Sequence, residues 1–118
     1  MKVKTKIWLE KDGEVIFGEG RCRLLQILEK SGSLNAAAKE MKMSYRAAWG
    51  KVKTMEKRSG LKLLQTRAGG KVGGGSILTP EGIALLRGFE RLKKRIEQEA
   101  GRILLATFKN GKIPGKSS

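Results

Sequence analysis

The chain has 118 residues, enough for one domain around a single modest core. It carries 26 Lys and Arg against 11 Asp and Glu, a net charge of +15, which favours a polyanionic partner, either nucleic acid or an anionic membrane surface. Histidine is absent, and with no paired carboxylates and no metal-ligand cluster acid–base and metal chemistry have little to work with, which counts against an enzyme; no catalytic residue, metal or cofactor is expected.

Residues 3–17 read as a β-hairpin. Val3, Thr5, Ile7 and Leu9 alternate with Lys2, Lys4, Lys6 and Trp8, and Asp12-Gly13 is a two-residue turn signal. Counting outward from that turn pairs Lys11 with Glu14, Leu9 with Ile16 and Trp8 with Phe17. The Leu9–Ile16 face is expected on the domain, and the Trp8–Phe17 face outside, as ordinary packing or as part of a subunit contact. Residues 19–31 form the first predicted helix, with an apolar face of Cys22, Leu24, Leu25, Ile27 and Leu28 and Gly32 as its stop. Cys22 falls within that face and is expected as a packed core thiol. One cysteine makes no internal disulfide, so a reducing cytoplasm is the expected location.

Ser33 to Gly60 reads as two short helices around a tight apolar turn, with Ser33 and Ser44 as their N-caps. Ala36, Ala37 and Ala38 leave room for a crossing helix, and Met41 and Met43 wedge the turn into the core. In the second helix Ala48, Val52 and Met55 form one inward stripe, while Tyr45, Arg46, Gly50, Lys53 and Lys57 lie opposite. A buried stripe backed by a basic face is the geometry of a recognition helix entering a DNA major groove. Trp49 reads either as partly buried core or as a DNA contact.

A short strand at Leu63–Thr66 and a return strand at Ile77-Leu78 flank the stretch Arg67–Ser76, with five glycines in ten residues. Its spacing matches neither a P-loop nor a dinucleotide fingerprint. It is expected to be a hairpin wing, with Arg67 and Lys71 reaching phosphate or the minor groove. Thr79-Pro80-Glu81 opens a helix that runs to about Phe108. Its apolar positions Leu85, Phe89, Leu92, Ile96 and Ile103 include a period-seven set, more than so small a core can cover, so residues 80–108 are expected to pair with a second copy. The alternative is that the first half packs on the domain and the second half leads to a missing partner. Residues 109–118 read as a disordered basic tail. Nothing at the N-terminus resembles a signal peptide, and no stretch approaches the ~20 apolar residues of a membrane span.

The charge is not spread evenly. Lys39 to Lys71 holds 10 basic and 2 acidic residues, whereas Pro80 to Thr107 holds 6 and 4. The fold expected is α+β, mostly α: a winged helix-turn-helix over residues 1–108 with an N-terminal hairpin and a long C-terminal dimerisation helix.

The run SGSLNAAAKEMKMSYRAAWGKVKTMEKRSG, followed by LLQTRAGGKVGGGSILTPEG, resembles the N-terminal DNA-binding domain of the ModE family of molybdate-responsive bacterial regulators, itself similar to the winged helix-turn-helix of LysR-type regulators. The resemblance covers roughly residues 3–108, and its most specific pieces are Ser44 to Trp49 and the glycine-rich wing. It implies DNA binding and dimerisation. The family's C-terminal oxyanion-binding modules have no counterpart in these residues, so molybdate sensing does not carry over and the effector stays unknown.

These observations lead to the expectation of a homodimeric regulator that binds a pseudo-palindromic site in double-stranded DNA. Ser44, Tyr45 and Arg46 lie at the N-terminal end of the recognition helix, where exposed amides favour phosphate. Arg46 matches the two acceptors on a guanine edge; Tyr45 suits a phosphate or a thymine methyl; Gly50 allows close approach. Lys51, Lys53 and Lys57 are expected to position the protein on the backbone rather than read sequence. The alternative is a non-specific architectural nucleic-acid-binding protein acting through charge alone.

Overall fold

In the computed structural model, which describes residues 1–66 and 75–113, Asp12 and Gly13 both take positive φ, 53° and 79°. That is what a two-residue primed turn demands, and it joins β1 (Trp8–Lys11) to β2 (Glu14–Gly18). Lys11 pairs with Glu14 as expected, but Leu9 lies opposite Phe17 and Trp8 opposite Gly18. The expected Leu9–Ile16 and Trp8–Phe17 pairs are not formed, because Ile16 is the extra residue of a β-bulge. A regular ladder would have turned Phe17 to the face of Trp8, which is 51% exposed. The bulge returns Phe17 to the core, fully buried and edge-on to Phe89 with ring centroids 5.1 Å apart. Burying a Phe side chain is worth ~2–3 kcal/mol, against ~1 kcal/mol for a ladder hydrogen bond, so the bulge prevails. The strand is also shorter than expected. Gly18 already caps the following helix, so residues before Trp8 have nothing to pair with.

Helix α1 (Glu19–Ser31) buries Cys22, Leu24, Leu25 and Leu28 and ends where Gly32 turns left-handed and donates its amide to the Leu28 carbonyl. Burial pushes the Cys22 thiol up from its ordinary pKa, with Glu90 adding to the effect, as suits a packed core thiol. Ser33 caps α2 (Leu34–Glu40), its hydroxyl accepting the Ala36 amide at 3.1 Å. Ala37 and Ala38 are buried, and their small side chains admit the next helix. After a turn at Met41–Met43, Ser44 caps α3 (Tyr45–Ser59) in the same way, accepting from Ala47 at 3.0 Å. Ala48, Val52 and Met55 are fully buried, so the inward stripe is the expected one.

Strands β3 (Leu64–Thr66) and β4 (Ser76–Leu78) pair antiparallel, Leu64 opposite Leu78 and Thr66 opposite Ser76. The residues between them, expected as a wing carrying Arg67 and Lys71, lie outside the described residues. At the start of β4 the Ser76 amide donates to the Gly32 carbonyl at 3.0 Å, tying the strand to the end of α1.

Thr79 caps α4 (Pro80–Thr107), accepting from Gly82 at 3.0 Å and donating to the Lys62 carbonyl. Here the helix start lies so close to the chain entering β3 that a Cβ on Gly82 would sit 2.6 Å from the Leu63 carbonyl oxygen. Gly82→Ala should therefore destabilise the fold. Helix propensity favours alanine by ~1 kcal/mol, but a backbone clash costs ~1–3 kcal/mol and prevails. Thermal unfolding checks the sign, with Gly88→Ala as control, since a Cβ there meets nothing within 4 Å and should stabilise.

Of the residues expected on the dimer seam, Phe89 is a correction: at 2% exposure it belongs to the protomer's own core, beside Leu86 and Phe17. The period-seven pattern did not reveal that the bulged hairpin supplies it with a partner. Leu85 is half-buried against the core, Ile96 half-buried, and Leu92 and Ile103 are 40% and 56% exposed. Residues Met1–Thr5 run beside the outer part of α4 and, with Glu97, Leu104 and Leu105, line a cleft of about 750 Å³. Beyond α4, Lys109–Gly111 forms one 3₁₀ turn where a disordered tail was expected, and residues 114–118 lie outside the described residues. Among the described residues no helix is long and apolar enough to cross a membrane.

Candidate nucleic-acid interface

Because α3 is pinned to the core by Ala48, Val52 and Met55, its other side faces outward as one surface. Tyr45, Arg46, Ala47, Gly50, Lys51, Lys53 and Lys57 are all exposed there. A Cβ on Gly50 would meet nothing within 4 Å, so the gap it leaves is open to whatever approaches the helix. Among the described residues Arg46, Lys51 and Lys57 have no ion-pair partner, leaving three unneutralised cations along ~17 Å of helix. The Ser44 hydroxyl accepts the Ala47 amide, and its own proton stays available to donate to an anion.

Lys53 differs from its neighbours. Its ammonium lies 4.4 Å above the Trp49 ring and 3.1 Å from Oε1 of Glu56. Trp49 is half-buried against the core and lies near-parallel to Tyr45, with centroids 6.5 Å apart and planes 14° apart. The position agrees with the expected partly buried core residue, one side of Trp49 packing inward and the rest exposed.

Two braces hold this helix, and neither was foreseen. Arg58 donates to the Val15 carbonyl at 2.9 Å and pairs with Glu14 at 3.1 Å, while Lys11 donates to the Ser59 carbonyl at 3.3 Å. The N-terminal hairpin is thereby clamped to the C-terminal end of α3. On the other side Oε2 of Glu56 accepts the amides of Leu63 and Leu64 at 2.8 and 3.2 Å. Helix α3 and the chain entering β3 are thus joined through one carboxylate. Its sequence signal is that Glu56 is the one acidic residue between Lys42 and Lys62.

Burial alone would raise the Glu56 carboxyl, but donation from Leu63, Lys53 and Leu64 outweighs it and holds the group below its ordinary 4.5. A carboxyl depressed in the folded state stabilises above its unfolded pKa, and that stability is lost as pH falls through the folded one. Glu56→Gln should accordingly be less stable than the parent at pH 7, by at least ~1 kcal/mol. The gap should close as the pH drops from about 4.5 through the depressed value. Urea unfolding across that range checks it; a gap that persists in acid would show that the charge is not what matters.

Residues 20–83 match the family described as bacterial regulatory helix-turn-helix protein, lysR family, and that span contains α2, α3 and the start of α4. The chain belongs to the lysR family. Transcriptional regulator ModE of Haemophilus influenzae is 42% identical over 84 residues, covering 71% of this chain and 32% of that protein. Molybdenum transport protein ModE of Azotobacter vinelandii is 36% identical over 108 residues, 82% of this chain and 40% of the relative. The DNA-binding transcriptional dual regulator ModE of Escherichia coli K12 is 31% identical over 104 residues, 88% and 39% of the two chains. The chain thus spans 32–40% of the length of these curated relatives. A crystal structure of a LysR family transcriptional regulator shares the fold, with TM-score 0.52 at 19% identity over 75% of this chain and 29% of that one. At the level of the lysR family the module is a DNA-binding regulatory one and not an enzyme.

Proposed function

We propose that the protein is a sequence-specific transcriptional regulator that binds a pseudo-palindromic DNA site as a homodimer. The observation that carries this reading is the outer face of α3, basic and open at Gly50 on a helix whose inner stripe is fully buried. Arg46 lies in the first turn, where a guanidinium can fork onto guanine O6 and N7. Lys51 and Lys57, together with Arg67 and Lys71 of the wing, supply phosphate contacts that set affinity and salt dependence.

The homodimer is supported by the exposed Leu92 and Ile103, which lie on one stripe of α4 with half-buried Leu85 and Ile96. A second copy covering that stripe sets two recognition helices on one face of DNA, and the two-fold axis imposes a pseudo-palindrome. Binding-site selection from random duplex DNA tests the reading. Enrichment of an inverted repeat supports it. Tight binding with no enriched sequence would instead assign the protein to non-specific architectural binding through charge.

A further inference from the structure

Resting on the reading of sequence-specific binding, we infer that Tyr45 and Trp49 form a preassembled apolar reader of a thymine methyl group, with Trp49 as the positioning residue. The two rings lie one helical turn apart, 14° from parallel with centroids 6.5 Å apart. Trp49 is fixed from two sides. It packs against the buried core beneath it, and the Lys53 ammonium covers its ring at 4.4 Å. Lys53 is itself held by Glu56, which accepts the amides of Leu63 and Leu64. The stack therefore ends, through four side chains, on the backbone entering the wing.

An exposed tyrosine at a helix start would ordinarily sample several rotamers and lose that freedom on binding. Stacked on an immobile indole, Tyr45 has lost it beforehand, and the contact it makes with DNA is correspondingly stronger. Tyr45 is 49% exposed, so one part of its ring faces the indole and the rest faces outward. Across the major groove every base edge offers hydrogen-bond donors or acceptors, and thymine alone offers an apolar group, its C5 methyl. A rigid aromatic surface at the groove-entering end of the helix is matched to that group.

The test replaces thymine by deoxyuracil, one position at a time, in the duplex recovered by selection, and measures Kd for each. In the parent protein one position per half-site should lose about fourfold, the equivalent of a single buried methyl group. Tyr45→Ala and Trp49→Leu should bind the thymine and uracil duplexes equally well, while Trp49→Phe, which restores an aromatic plane, should recover most of the discrimination. A purely structural role for Trp49 would lower affinity for all duplexes alike and leave the thymine-to-uracil ratio at that position unchanged, which overturns the inference. Tyr45→Ala keeps the test decisive should Trp49→Leu fold poorly, because half of Tyr45 is solvent-facing. Indifference of the parent protein to every uracil substitution also overturns it. Failure to enrich any sequence in the selection would instead remove the underlying reading, and shows itself before any uracil is introduced.

Discussion

Replacing Ile96 with glutamate should leave the protein folded, convert it to a monomer at micromolar concentration and abolish tight binding to a two-half-site duplex. Ile96 is half-buried in the protomer and lies outside both the core and the helix-turn-helix, so a carboxylate there can stay solvated in the monomer. Between two copies it would be placed in an apolar seam with Leu92 and Ile103, which are 40% and 56% exposed in one protomer. A charge buried without a partner costs several kcal/mol, enough to separate a dimer built on one helix pair. Joining two half-site contacts multiplies affinity by ~10²–10⁴, and that factor is what the variant should lose while single half-site binding survives. Sedimentation and titration against one-site and two-site duplexes give both readouts. Parent protein that sediments as a monomer at the same concentration would refute the homodimer.

Arg46→Ala should weaken binding to the selected duplex by ~1–3 kcal/mol and flatten base preference at one or two positions per half-site. Arg46 is exposed in the first turn of α3 with no ion-pair partner among the described residues, so its removal leaves the fold intact. Lys51→Ala is the comparison. It should weaken all duplexes by similar factors and make the slope of log affinity against log salt shallower by ~1. Repeating the selection with the Arg46 variant decides the matter: an unchanged consensus would remove Arg46 from base readout.

The elements that were legible in the sequence are those whose ends are set locally. Ser33, Ser44 and Thr79 accept the amides expected of N-caps, and Gly32 and Gly60 take the left-handed conformation that stops α1 and α3. The outward face of α3 was legible for the same reason, since its inward stripe repeats at helical spacing. What sequence did not show depends on partners distant in the chain. The bulge at Ile16 exists because Phe89 awaits Phe17, and no count outward from Asp12-Gly13 reveals that. Phe89 was misplaced on the seam through the same contact seen from the other side. In sequence Glu56 stands out only as a lone acid among cations, and only the fold brings two backbone amides to its second oxygen.

The way β3 and β4 are secured makes them a clasp fastened from both sides. On the incoming side Glu56 holds the amides of Leu63 and Leu64; on the outgoing side the Gly32 carbonyl holds Ser76 and the Thr79 amide returns to the Leu63 carbonyl. Both strands are therefore tied to helices as well as to each other, β3 to α3 through Glu56 and β4 to the end of α1 through Gly32, so the small sheet shares the rigidity of the helix-turn-helix.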